Sequence, residues 1–370
     1  MQEFNEVKKK LGFGCMRLPM KDGEVDMEEM KRMVDLFLKE GFSYFDTAHG
    51  YIDGKSELAL KEALTSRHPR ESFVLTNKLS GGFFQKEEDI RPLFESQLKA
   101  CGVDYFDFYL MHAQNTRQFA HFKKCRAYEN AIELKKEGKI RHFGISFHDT
   151  ADVLDQILTE YPQIEVVQIQ YNYLDYEDES VQSKKCLEVV KKHGKRALCM
   201  EPIKGGHLIN VPAPVKELLE ANSLRPAELA LRFAATPESM LVVLSGMSNL
   251  EQMKENIEYF REFKQLDDTQ FQIALKAANI MKAEDIIPCT ACRYCVSGCP
   301  KNISIPELFA CMNAKKRTGD WNSNFYYDNV HTANKGKASD CIKCGQCERV
   351  CPQKLPIRSL LDEVAKEFEK

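Results

Sequence analysis

No stretch of this chain approaches the ~20 apolar residues that a membrane-spanning helix needs. The opening MQEFNEVKKKLGFG lacks the apolar core and small-residue cleavage site of a secretion signal, which predicts a protein that stays in the cytoplasm. A basic excess is also missing. Lys and Arg number 52 against 55 Asp and Glu, for a net charge of −3, so neither nucleic acid nor a membrane surface is an expected partner. The glycine run GFGCMR (12–17) lacks the third glycine of a dinucleotide fingerprint and opens no helix, which argues against a Rossmann domain.

What the chain does have is length, alternation and cysteine. Its 370 residues exceed the roughly 250 to 300 at which a single core stops growing, so a second module is expected. Eight short runs are apolar and rich in β-branched or aromatic residues: 11–15, 43–48, 73–79, 107–112, 142–147, 166–172, 197–202 and 240–247. Amphipathic helical stretches separate them. One is 27–40, where Met27, Met30, Val34, Phe37 and Leu38 share a stripe, Asp26 can cap the start and Gly41 can end it. Eight strand–helix repeats in about 250 residues predict an α/β fold, a (β/α)8 TIM barrel over 1–264. The pattern changes near Lys264, and 265–370 is expected to form a small, mainly helical second domain.

That domain carries eight of the fourteen cysteines, in two runs of the form C-x2-C-x2-C-x3-C-P. The first holds Cys289, Cys292, Cys295 and Cys299, the second Cys341, Cys344, Cys347 and Cys351. This is the ferredoxin spacing for 4Fe-4S clusters, in which three close thiolates wrap one cluster and the fourth reaches the other. Cys289, Cys292, Cys295 and Cys351 are therefore assigned to one cluster, and Cys341, Cys344, Cys347 and Cys299 to its neighbour. A zinc ribbon would leave the third and fourth cysteines of each run unused, and a thiol redox pair needs only C-x-x-C. The long segment between the runs, with its own helix, makes residues 285–358 resemble the helical dicluster ferredoxin domains attached to larger oxidoreductases. For Cys15, Cys101, Cys125, Cys186, Cys199 and Cys311, burial as small hydrophobes is the default.

Four polar residues fall at the C-terminal ends of the second to fourth strands or just beyond, where barrel chemistry sits: Asp46, Tyr51, Lys78 and His112. Each has an ordinary reading alone, as a cap, a half-buried aromatic, a solvated strand end or a satisfied histidine. Together they make a proton-donating device. Reducing a carbonyl needs a hydride at carbon and a proton at oxygen, and a phenol is a poor acid near neutrality. A lysine ammonium beside Tyr51 would acidify it, Asp46 would keep Lys78 charged, and His112 could polarise the carbonyl.

These positions, with LGFGCMRLP, GISF and EQMKENI in the same order, closely resemble the aldo-keto reductase family over about residues 8–262. The resemblance implies a barrel that binds NADP(H) or NAD(H) across its mouth and reduces a small carbonyl substrate by hydride transfer. It places Gly14 and Met16 under the nicotinamide ribose, Ser146 and Gln170 at the carboxamide, Met200 at the position that usually stacks on the nicotinamide, Gly246 and Met247 in the loop after the last strand, and Glu255 and Asn256 at the adenine. Three positions depart from the family: Phe147 replaces asparagine, Met200 replaces the stacking tyrosine, and Gln252 stands where a basic side chain often holds the 2'-phosphate. Hydride transfer moves two electrons and each cluster carries one, so a one-electron redox partner is an expected further ligand. A flavin would bridge the mismatch, but the sequence carries no flavin signature. Two alternatives stand beside this reading: clusters that only staple a plain carbonyl reductase, and a non-catalytic electron-transfer or binding protein. Phe83 and Phe84 imply an apolar wall for the substrate.

Overall fold

A computed structural model describes residues 4–283, 287–289, 291–319 and 321–370. Strand β1 (Leu11–Gly14) is followed by a small antiparallel hairpin, β2 (Met20–Lys21) and β3 (Glu24–Val25). Then come β4 (Tyr44–Asp46), β5 (Val74–Leu79), β6 (Phe106–Gln114), β7 (Ile140–Phe147), β8 (Val166–Gln170), β9 (Arg196–Met200) and β10 (Met240–Ser245). All but the hairpin are parallel and close into an eight-stranded barrel, with β1 pairing both β10 and β4. Each strand expected from the sequence is one of the eight. The first helix runs Met27–Lys39, capped by the Asp26 carboxylate accepting from the Glu29 amide, and Gly41 leaves it at φ 80°.

Strand periodicity decides what reaches the mouth. Tyr44, Val74, Phe108, Leu110, Val166, Leu198, Val242 and Leu244 form one apolar cluster with Phe4, the filling of the barrel. Their neighbours Phe45, Leu75, Tyr109, Val167 and Val243 belong to the larger core under the helices. Because side chains alternate along a strand, residues two beyond an inward one are inward again. Asp46, Lys78, His112, Gln170 and Met200 therefore share the phase of the filling and end at its C-terminal rim. Glycine keeps the interior open where bulk would collide: a Cβ on Gly144 would lie 2.5 Å from Val166 Cγ2 and 2.6 Å from the Val166 carbonyl oxygen.

A second core follows. The helix Asp268–Lys282 still buries Ala274, Ala277, Ala278 and Met281 in the barrel's core. From Ile287 onward the apolar residues form their own cluster, built on Ile305, Leu308, Phe309, Ile357, Leu361 and Val364, and including Val181 from the loop after β8. The cysteine runs repeat in three dimensions. Ala291 and Lys343, Arg293 and Gly345, and Asn302 and Lys354 occupy matching places in the two runs, and all six are left-handed. Helices Ile305–Thr318 and Ile357–Phe368 begin at matching positions and pack together. The segment between the repeats docks this unit on the barrel. Asn322 donates to the Glu201 carboxylate (2.6 Å), Phe325 packs on His148 with ring centroids 5.3 Å apart, and His331 Nε2 donates to the Ser180 carbonyl (3.2 Å). These contacts lie beyond β9, β7 and β8 respectively, so the unit sits against that flank of the mouth. Among the described residues no helix is long and apolar enough to cross a membrane.

Candidate active site

The four polar residues expected from the sequence converge. Lys78 Nζ donates to Asp46 Oδ1 at 2.6 Å and to the Thr47 carbonyl at 2.8 Å, and lies 4.9 Å from the centre of the Tyr51 ring. The His112 ring stands edge-on to Tyr51, centroids 5.9 Å apart. Lys78 and Asp46 are sealed, at 0% and 3% exposure, while Tyr51 and His112 remain partly accessible. The charged pair thus forms the floor and the two hydrogen-bonding rings face the opening. The loop carrying Tyr51 is tied down beneath, where Ser56 Oγ donates to the Cys15 carbonyl (2.8 Å) and shares a hydrogen bond with Thr47 Oγ1 (2.7 Å).

The electrostatics refine the expectation. Burial opposes charge on Lys78, but the Asp46 carboxylate and the Tyr51 phenol outweigh it and hold the ammonium above its ordinary pKa. Burial pushes the Asp46 carboxyl up against the pull of Lys78. The Tyr51 phenol is also held above its ordinary value, since burial exceeds the downward pull of Lys78. The lysine offsets enclosure rather than producing an acidic phenol, and the phenol keeps its proton at neutral pH. His112 falls well below its ordinary value through burial, with the positive charge of Lys78 and the nearby His148 adding to it. It is a neutral imidazole, and Ser80 Oγ lies 2.6 Å from its Nδ1. With Ser80 donating there, Nε2 carries the proton and becomes the donor toward the mouth. Ser80, two residues beyond Lys78, carries no motif that marks it in the sequence.

Of the residues assigned to the cofactor, Gly14, Ser146, Gln170 and Met200 lie at the C-terminal ends of their strands, Met16, Gly246 and Met247 in loops that follow, and Gln252, Glu255 and Asn256 in the helix Leu250–Arg261. Ser146 Oγ accepts from the Ala113 amide (2.7 Å) beside a register slip in β6 between Met111 and Gln114. Gln170 Nε2 donates to Asp175 (2.6 Å). A Cβ on Gly14 would meet nothing nearer than the Ser245 carbonyl oxygen at 3.5 Å, so packing alone does not demand glycine there. Met16 is exposed, Met200 partly so, and Met247 is buried. Asn256 donates to Ser245 Oγ (2.8 Å), Glu255 accepts from the Tyr259 hydroxyl, and the Gln252 side chain accepts from the Ser248 amide (2.8 Å). Arg17, which the sequence reading passed over, is exposed beside two loops: its Nη2 lies 3.7 Å from a Cβ built on Gly205, and its Cβ 3.5 Å from one built on Gly246.

The eight cysteines of the two runs line two cavities. Cys289, Cys292, Cys295 and Cys351 line one cavity, and Cys299, Cys341, Cys344 and Cys347 line the other. Exposure matches across the repeat: Cys292 and Cys344 are exposed, Cys295 and Cys347 buried, the remaining four intermediate. Among the described residues no three His, Cys, Asp or Glu side chains converge as closely as a single ion requires. Four thiols spread around a cavity, with left-handed residues turning the chain about it, fit a cluster. The other six cysteines are buried.

The aldo/keto reductase family model matches residues 10–279, well over half of the sequence. This chain belongs to that family. A 4Fe-4S dicluster domain matches residues 276–356. The chain is therefore an NAD(P)H-dependent oxidoreductase with an iron–sulfur domain beyond its barrel. It is 27% identical over 263 residues to the NADH-specific methylglyoxal reductase of Escherichia coli (strain K12), covering 59% of this chain and 78% of that one. An aldo-keto reductase of Mycobacterium avium is 27% identical over 237 residues, 63% and 76% of the two chains. Among solved structures, an aldo-keto reductase from Bacillus halodurans in its holo form aligns with a TM-score of 0.60 at 25% identity, over 72% of this chain and 91% of that one. One from Klebsiella pneumoniae in complex with NADPH aligns at 0.59 and 19%, over 72% and 90%, a likeness of fold.

In this aldo/keto reductase the departures have structural consequences. Phe147 falls in the outward phase of β7 and is buried in the core under the helices, so it presents no amide to the mouth. Arg261, a basic side chain on the same helix as Gln252, is paired with Glu40 at 3.0 and 3.1 Å.

Proposed function

We propose that this chain reduces a small carbonyl compound with NAD(P)H, Tyr51 supplying the proton. The observation that carries the reading is the convergence of Lys78, Asp46, Tyr51 and His112 at one rim, sealed charges below and open donors above. Bound NAD(P)H supplies the hydride. Neutral His112 donates Nε2–H to the substrate oxygen and orients it, and Tyr51 passes its proton to that oxygen as negative charge develops there. Lys78 stabilises the phenolate left behind, and Asp46 holds the ammonium in place. Ser146 and Gln170 would hold the carboxamide. Arg17, between the loops at Gly205 and Gly246, would meet the dinucleotide's diphosphate. Replacing Tyr51 with Phe tests the proposal: carbonyl turnover should fall by roughly 10²- to 10⁴-fold with cofactor affinity kept. Equal loss of both would refute it.

The two thiol-lined cavities would each hold one 4Fe-4S cluster, the first on Cys289, Cys292, Cys295 and Cys351, the second on Cys341, Cys344, Cys347 and Cys299. Such clusters carry single electrons. Their unit sits against the β7–β9 flank, where Ser146, Gln170 and Met200 end, and this favours exchange with a one-electron partner over a purely structural role.

A further inference from the structure

Outside the catalytic four lies a second buried ion pair. Lys204 and Asp175 are 4% and 2% exposed, and Lys204 Nζ meets the Asp175 carboxylate oxygens at 2.7 and 2.8 Å. Burial pushes the Asp175 carboxyl up, but Lys204, Gln170 and Asn172 together hold it below the usual carboxylate range. It is thus ionised and can only accept. Asn172 Nδ2 donates to its Oδ2 at 2.7 Å and Gln170 Nε2 at 2.6 Å. The Gln170 amide therefore has one admissible orientation, because turning it over would set its carbonyl oxygen against a carboxylate. The same constraint leaves Gln170 Oε1 as an acceptor that is buried and finds no partner among the described residues. A buried acceptor in that state favours any ligand that brings it an N–H. Strain marks the loop that supplies the lysine: Glu201 and Lys204 are left-handed at φ 56° and 46°, a conformation side chains other than glycine adopt at a cost.

We propose that Asp175 and Lys204 are positioning residues that lock Gln170 with its oxygen as a fixed acceptor, so that the site selects a dinucleotide bearing a primary carboxamide over one bearing a bare carbonyl. The proposal rests on the nicotinamide reading above and adds to it a pair of residues that touch neither cofactor nor substrate.

The probes are NADH and its 3-acetylpyridine analogue, in which a methyl group replaces the amide NH2. Binding of each to the iron-loaded full chain is measured by calorimetry. The unmodified protein should prefer NADH by roughly tenfold or more, the discrimination expected when a buried acceptor is left unpaired. In Asp175→Asn the preference should shrink toward unity, because Gln170 regains its second orientation. Where that variant fails to fold because Lys204 is left unpaired, Asp175→Asn/Lys204→Met removes both charges and should give the same collapse of the ratio. Gln170→Leu is the control that removes the acceptor itself. An unchanged ratio in the folded variants, beside a clear preference in the parent, overturns the positioning role and leaves the nicotinamide reading standing. A parent that binds neither dinucleotide overturns both.

Discussion

At the scale of single residues the chemistry turns on which groups are sealed and which are open. Lys78 is buried with Asp46, so Lys78→Met leaves a carboxylate without its counter-charge. That substitution should cost about 3–5 kcal/mol of stability as well as activity. Asp46→Asn/Lys78→Met removes both charges and separates the two effects: the double variant should recover much of the melting temperature but none of the turnover, as thermal denaturation and steady-state rates would show. Ser80→Ala frees the His112 tautomer and should lower kcat by about tenfold with little change in cofactor affinity, since one buried hydrogen bond is at stake. Gln252→Arg should lower KM for NADPH more than for NADH, because a guanidinium there would face the extra phosphate. Asp46, Lys78 and His112 were legible because each is a distinctive side chain near the end of a strand, and Tyr51 because it follows Asp46 in the next loop. Ser80, Arg17 and Asp175 were not, since their roles depend on partners 29 to over 200 positions away or on loops that only the closed barrel brings together. The sign of the Tyr51 shift was beyond the sequence for a similar reason: burial decides it.

At the scale of elements, the eight barrel strands were readable because parallel strands covered on both faces leave continuous apolar runs. The hairpin β2–β3 was not, being two residues a side and mostly exposed. The boundary expected near Lys264 groups the helix Asp268–Lys282 with the cysteine-bearing segment, while its alanines pack in the barrel's core. The long segment between the cysteine runs, unusual by ferredoxin standards, proves to be the docking element, through Asn322, Phe325 and His331. Docking there should be sensitive to acid. Burial lowers the pKa of His331 to about 4, far below the usual imidazole value. The released histidine binds its proton near pH 6.5 and the docked one only near 4, so the undocked or unfolded state holds more protons in that window. Stability therefore falls as pH drops from about 6.5 toward 4. His331→Gln should flatten this dependence, seen as a smaller loss of melting temperature between pH 7 and pH 5, whatever its effect at neutrality.

At the scale of the whole molecule, the chain joins a reductase barrel to an iron–sulfur domain. Reconstituted protein should carry about eight iron and eight sulfide atoms. Cys351→Ser should perturb the cluster held by the first run, and Cys299→Ser the one held by the second. Iron analysis with electron paramagnetic resonance of each reduced variant would reveal the exchange, and a Cys351→Ser defect confined to the second run's cluster would contradict it. Such an exchange of fourth ligands would also set an order of events during biogenesis. The thiol completing the earlier cage lies in the later run, so neither metal centre would close before the second run has left the ribosome. Iron loading would then be the last act of maturation, and starvation for iron should leave the tail unfinished beside its barrel.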